Sequence, residues 1–153
     1  MGLIPIILVV VLTLLLWGML NYNSFIFKKS QADLAYIQLE KGWNQRSSEL
    51  LELHTLLKIN ELKMSDTLLK LANQPEDAEK YNLSDELKAV ATIPQLSGNT
   101  DLTKVINDLL TTETQVEKLR KKYIATALDY NKQVEEMPSR YIALLFGFKT
   151  LPM

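Results

Sequence analysis

The chain has 153 residues, with 17 Lys and Arg against 18 Asp and Glu, one His and no Cys. A net charge of −1 leaves no basic excess for a nucleic-acid footprint, so no nucleic-acid partner is expected. Without cysteine there is no disulfide frame, thiol nucleophile or thiolate metal site, and no cofactor is expected.

In chain order, the first element runs from Gly2 to Leu20, GLIPIILVVVLTLLLWGML, with no charge and Thr13 as its one polar side chain. As a helix it reaches roughly 28 Å, close to the ~30 Å hydrocarbon core of a bilayer. Pro5 falls in the first turn, where its missing N–H removes no helical hydrogen bond. Nothing basic precedes Leu3, and Trp17 to Leu20 offer no small-x-small cleavage site, so a permanent anchor is expected rather than a cleaved leader. Lys28 and Lys29 follow the span, which places the N-terminus outside and the rest of the chain in the cytoplasm. Residues 1–21 are therefore read as a transmembrane anchor and 22–153 as one helical domain, with the lipid bilayer as the first partner. Trp17, Tyr22, Phe25 and Phe27 suit the headgroup level.

No breaker other than Gly42 interrupts Ser24 to Asn73, so the span is expected to continue as one helix until Pro75. Ala32, Tyr36, Leu39, Trp43, Arg46, Leu50, Leu53, Leu57, Asn60, Met64, Leu68 and Leu71 recur at spacings of three and four and form one face. The acidic stretch 74–92 predicts a short helix over 83–92, stopped by Pro94, and 93–99 reads as a turn. Asn99 or Thr100 then caps a helix of about 36 residues, its length following from the sustained three-and-four spacing. Its stripe is Leu102, Ile106, Leu109, Glu113, Val116, Arg120, Tyr123, Ala127, Tyr130, Val134 and Met137. Pro138 breaks that helix, 139–146 forms a last short one, and Gly147 is placed to end it.

The fold class is thus all-α: an N-terminal transmembrane helix followed by an antiparallel bundle of two long helices and two short ones. Setting Leu71 beside Leu102 makes facing residue numbers add to about 170, give or take a turn. Glu113 then lies near Asn60, and Arg120 near Glu49, Glu52 or Leu53. Asn60, Glu113 and Arg120 are the expected buried polar network, since a buried charge needs a partner. Tyr123 and Tyr130 are expected to pack in the bundle with their hydroxyls satisfied. From Tyr141 to Met153 the only charge is Lys149. Ile142, Leu145, Phe146 and Phe148 are accordingly the candidate interaction or membrane-proximal residues, facing the lipid interface or another subunit.

From Thr112 to Lys149, the residues Thr112, Glu113, Arg120, Tyr123, Ala127, Tyr130, Asn131, Pro138, Ser139, Ile142, Ala143, Phe146, Gly147 and Phe148 form a pattern. It resembles the C-terminal signature of the LemA family. Tyr22, Asn23, Pro94, Leu96, Asn99 and Leu109 match it more weakly, and Leu51 stands where the family usually has proline. The resemblance implies an antiparallel helical bundle on a single membrane helix with a short external N-terminus. It also implies an association of some members with membrane proteases of the HtpX kind, and of one LemA-like protein with magnetosome membranes.

No reaction is legible. His54 is the only histidine and has no Cys or second His to join, the serines have no G-x-S-x-G setting, and no Gly-rich loop cradles a phosphate. The chain is expected not to be an enzyme. Two functions fit: a membrane-anchored scaffold that holds copies of itself or a membrane-protein partner, or an accessory subunit of a membrane enzyme such as an HtpX-type protease.

Overall fold

The computed structural model describes residues 2–59, 72–73, 87 and 100–153. Three helices cover almost all of them: α1 over Leu3–Ile59, α2 over Thr100–Glu135 and α3 over Arg140–Phe146. The protein is all-α. The expected short helix over 83–92, the turn over 93–99 and the end of the first helix lie outside the described residues, apart from helical Ala72, Asn73 and Leu87.

α1 changes character along its 57 residues. From Leu3 to Leu16 every side chain is exposed, and the uncharged apolar run continues to Leu20, long enough in all to be a candidate membrane span. From Phe25 onward burial recurs on a seven-residue lattice: Phe25, Ala32, Leu39, Arg46 and Leu53 are each at most 2 % exposed. That spacing keeps one seam facing a partner helix. Ala35 and Gly42 flank the seam, whereas Tyr36, expected on the buried face, is 42 % exposed. Small residues bring the helices close, and a larger ring is displaced to the edge.

α2 spans 36 residues, with Asp101 in its first turn and Lys132 in its last, both matched to the helix dipole. Its end is closed by Ser139, whose hydroxyl lies 2.8 Å from the Gln133 carbonyl and 2.9 Å from that of Glu136. A cis peptide joins Met137 to Pro138. Met137, expected on the buried stripe, is 62 % exposed, because the helix has already ended at Glu135. α3 stops at Gly147, whose φ of 73° is the left-handed conformation that glycine adopts without penalty. The Phe148 N–H then returns to the Ala143 carbonyl at 2.9 Å.

The chain divides into two compact units, Met1–Tyr36 with Lys121–Met153, and Ile37–Arg120. In the first, Phe25, Tyr130, Val134, Ile142 and Ala143 form the core, with Trp17, Phe148 and Leu151 packed against it. Phe25 is sandwiched: Phe148 stacks on it at 4.8 Å and Tyr130 meets it edge-on at 6.4 Å. Lys28 to Asp129 (3.0 Å) and the Ser24 hydroxyl to Gln133 Oε1 (3.1 Å) fix the antiparallel register there.

In the second unit, Leu50, Leu53 and Leu57 of α1 pack with Leu102, Val105, Ile106 and Leu109 of α2, and with Ala72 and Leu87. The Ser47 hydroxyl bonds the Ala72 carbonyl. At Gly42 a Cβ would meet Val116 and Leu119 at 3.2 Å, so the two backbones approach as closely as the missing side chain allows. Here Arg46 faces Glu113 and Glu49 faces Thr112. Facing numbers add to about 160 rather than 170, an offset of roughly three turns. Glu113 thus faces Arg46, and Glu49, one of the expected neighbours of Arg120 with Glu52 and Leu53, faces Thr112 instead; Asn60, the expected neighbour of Glu113, lies outside the described residues. An apolar stripe that repeats every few residues packs almost equally well after a shift, and it is the Arg46–Glu113 pair that selects the register.

Candidate membrane-proximal site

α3 is short, and its buried and exposed positions separate sharply. Ile142 and Ala143 are 9 % and 1 % exposed and hold it to the core of the first unit. The Ile142 Cδ1 atom lies 3.7 Å from where a Gly18 Cβ would be, ordinary contact distance, so α3 docks against the span at this level. The Phe146 ring meets Tyr22 at 4.8 Å. Between them an elongated cleft of about 500 Å³ is lined by Val11, Leu14, Gly18 and Tyr22 of α1 and by Ile142, Leu145 and Phe146 of α3. The Tyr22 hydroxyl is its one polar side-chain atom among the lining residues.

The four residues singled out from the sequence separate here. Ile142 is buried, Leu145 and Phe146 are 75 % and 54 % exposed, and Phe148 is half-buried with its ring on Phe25. Phe148 thus belongs to the core rather than to the exposed face, because the left-handed turn at Gly147 folds it back. Leu144 and Tyr141, not singled out, join the exposed set at 70 % and 63 %.

The residues after α3 are clasped to α2 by Asn131, which is 7 % exposed. Its amide nitrogen donates to the Leu151 carbonyl at 2.9 Å, and its oxygen accepts from the Leu151 N–H at 2.7 Å. One side chain therefore satisfies both backbone groups of one residue, as a neighbouring β-strand would. Tyr123 adds a third bond, donating from its hydroxyl to the Pro152 carbonyl at 2.7 Å. Asn131 and Tyr123 both belong to the pattern read from the sequence, but nothing there marks their partners, which are bound through backbone atoms alone.

Burial pushes the Tyr123 phenol above the ordinary value of 10.0, and the nearby Tyr36 and Asp33 reinforce the shift. Tyr130 is raised in the same way, by burial first and then Asp33. A phenol whose folded pKa is raised stabilises the fold fully below its unfolded pKa, and that contribution is lost as pH rises through the folded value. Unfolding midpoints in urea should accordingly be flat up to about pH 9 and fall above about pH 10. The Tyr123→Phe variant should fall less steeply over that window. An equal alkaline loss in variant and parent would remove Tyr123 from the cause.

The expected polar network is rebuilt in the second unit. Arg46, 1 % exposed, points Nη1 at both carboxylate oxygens of Glu113, 3.2 and 3.4 Å away. The Thr112 hydroxyl donates to Glu49 Oε1 at 2.9 Å, and Gln45 donates to the same oxygen at 2.9 Å. Arg120, expected inside, is exposed; Leu119 occupies the seam beside Gly42, where an apolar branch fills the space better than a guanidinium. Asn60 lies outside the described residues. Arg46 stands on the face read from the sequence, and its seven-residue spacing to Leu39 and Leu53 is the signal that would have made it, rather than Asn60, the partner of Glu113.

The model of the LemA family matches residues 37–153. No curated protein and no solved structure matches the chain. The matched segment contains the Arg46–Glu113 pair, all of α2 and α3, and the Asn131 clasp, and it covers well over half of the sequence. The chain belongs to the LemA family.

Proposed function

We propose that the protein is a membrane-anchored, non-enzymatic helical scaffold that gathers partners, or copies of itself, at a bilayer. The observation that carries this reading is the continuous apolar exposure of the first unit. It extends from Leu3 to Leu16 along α1 and reappears on α3 at Leu144 and Leu145, with a core of aromatic packing between. Such a surface is stable only when covered. Lys28 and Lys29 beside the span favour a cytoplasmic position for the remaining helices. With no acid, base and nucleophile assembled in the cleft, binding is the chemistry its lining supports.

The test is purification of the full chain from membranes in mild detergent, followed by cross-linking and mass determination. A scaffold gives self-assembly or a set of partners in varying ratio. Recovery of one membrane enzyme at fixed stoichiometry, with its activity altered on removal of this chain, would replace the scaffold by an accessory subunit.

A further inference from the structure

We propose that α3 is immersed in the bilayer crossed by α1, and that the cleft between them holds one acyl chain of a membrane lipid. The proposal rests on reading residues 3–20 as a membrane span. One side of α3 is used up by the core, and the other presents Tyr141, Leu144 and Leu145 at 63, 70 and 75 % exposure, with the exposed Arg140 at its first position, whose long side chain can carry its charge towards the headgroups. Its depth is set by its contacts: Ile142 sits at Gly18 and Phe146 at Tyr22, the level where the apolar run of α1 ends and several residues before its first charge, Lys28.

The backbone of α3 is suited to that medium. A helix normally leaves its first N–H groups for water or a cap, and in hydrocarbon each such group is costly. Here they are paired. The N–H of Arg140 reaches Glu136, that of Tyr141 reaches Pro138, and those of Ile142 and Ala143 reach Ser139, at 2.9 to 3.2 Å.

The cleft dictates its occupant. One wall is the span itself, so hydrocarbon and not water surrounds the opening, and its lining offers a single hydroxyl. From Tyr22 to Val11 the α1 wall extends roughly 16 Å, about half the ~30 Å hydrocarbon thickness, which is the depth of one leaflet. Tyr22 lies towards the headgroups and Val11 near the midplane. An acyl chain of the leaflet on the Tyr22 side fills such a cleft along its length.

Because the chain has no cysteine, single nitroxide labels can be placed on the full protein in vesicles of phosphatidylcholine and phosphatidylglycerol. Leu144→Cys and Leu145→Cys are read beside Leu8→Cys in the span and Ala125→Cys on α2. The expected result is that the α3 labels, like Leu8→Cys, collide more with oxygen than with an aqueous nickel chelate, whereas Ala125→Cys does the reverse. Nickel-accessible α3 labels with a lipid-buried Leu8→Cys would overturn the proposal and leave the anchor standing. A water-exposed Leu8→Cys would overturn both. Labels shielded from both reagents and broadened by spin–spin coupling would mean that a second copy covers α3, which also overturns it. Phosphatidylcholine carrying a diazirine in its acyl chain supplies the second measurement. Its cross-links should concentrate severalfold on Leu14 and Leu145 over Leu12 and Leu16; even labelling around the span would overturn the bound acyl chain.

Discussion

Glu113→Ala should lower unfolding stability by about 3 kcal/mol, as expected when a buried ion pair loses one member. Arg46 is 1 % exposed, so its guanidinium cannot readily turn to solvent when this carboxylate disappears, and it remains as a buried charge that has lost its ion-pair partner Glu113. The opposite deletion is milder. Arg46→Met fills the same space with an apolar stem, and the Glu113 side chain, already 25 % exposed, can hydrate, so a loss of about 1 kcal/mol is expected. Urea unfolding of the two single variants and the double variant distinguishes the cases. If Arg46→Met costs as much as Glu113→Ala, the pair contributes attraction in its own right, and uncompensated burial is not the source of the loss.

The second large effect should come from Asn131→Ala, which removes both hydrogen bonds to Leu151 and frees the last residues from α2. At about 1 kcal/mol per bond, the docked tail loses about 2 kcal/mol. Lys149 offers trypsin a site within this segment, two residues before Leu151. Cleavage there proceeds through the opened tail, so its rate should rise roughly 30-fold in the variant, following the opening equilibrium. Asn131→Asp keeps an acceptor for the Leu151 N–H but sets an oxygen against its carbonyl, and should behave almost as badly as alanine. Unchanged trypsin sensitivity in Asn131→Ala would show that Leu151 packing against the Phe25 cluster alone holds the tail.

These two sites also mark what could be read in advance. α2 was legible in length and start, because an Asn-Thr cap, a long three-and-four spacing and Pro138 all act locally along the chain. The apolar first part of α1 was legible for the same reason. Register was not: Leu102 and Leu109 would pack against many leucines of α1, and it is polar pairs such as Arg46–Glu113 and Glu49–Thr112 that break the degeneracy. The site was half legible. Composition drew attention to the segment after Pro138, but the left-handed turn at Gly147 decides that Phe146 faces out while Phe148 stacks on Phe25, and a turn of that kind leaves no mark on hydropathy. The clasp by Asn131 was illegible, since the groups it binds are backbone atoms common to every residue.

The seven-residue recurrence of Leu39, Arg46 and Leu53 makes α1 a ruler with fixed divisions. Deleting one residue between Leu39 and Arg46 rotates everything beyond the cut by about 100° relative to what precedes it. The guanidinium would then swing away from Glu113, and Ser47 would take its place in the seam, leaving the Ala72 carbonyl. Deleting or duplicating a whole block of seven returns each side chain almost to its bearing and only slides the helix along its partner. Length changes in this stretch should therefore survive selection in multiples of seven, however freely individual surface residues are exchanged.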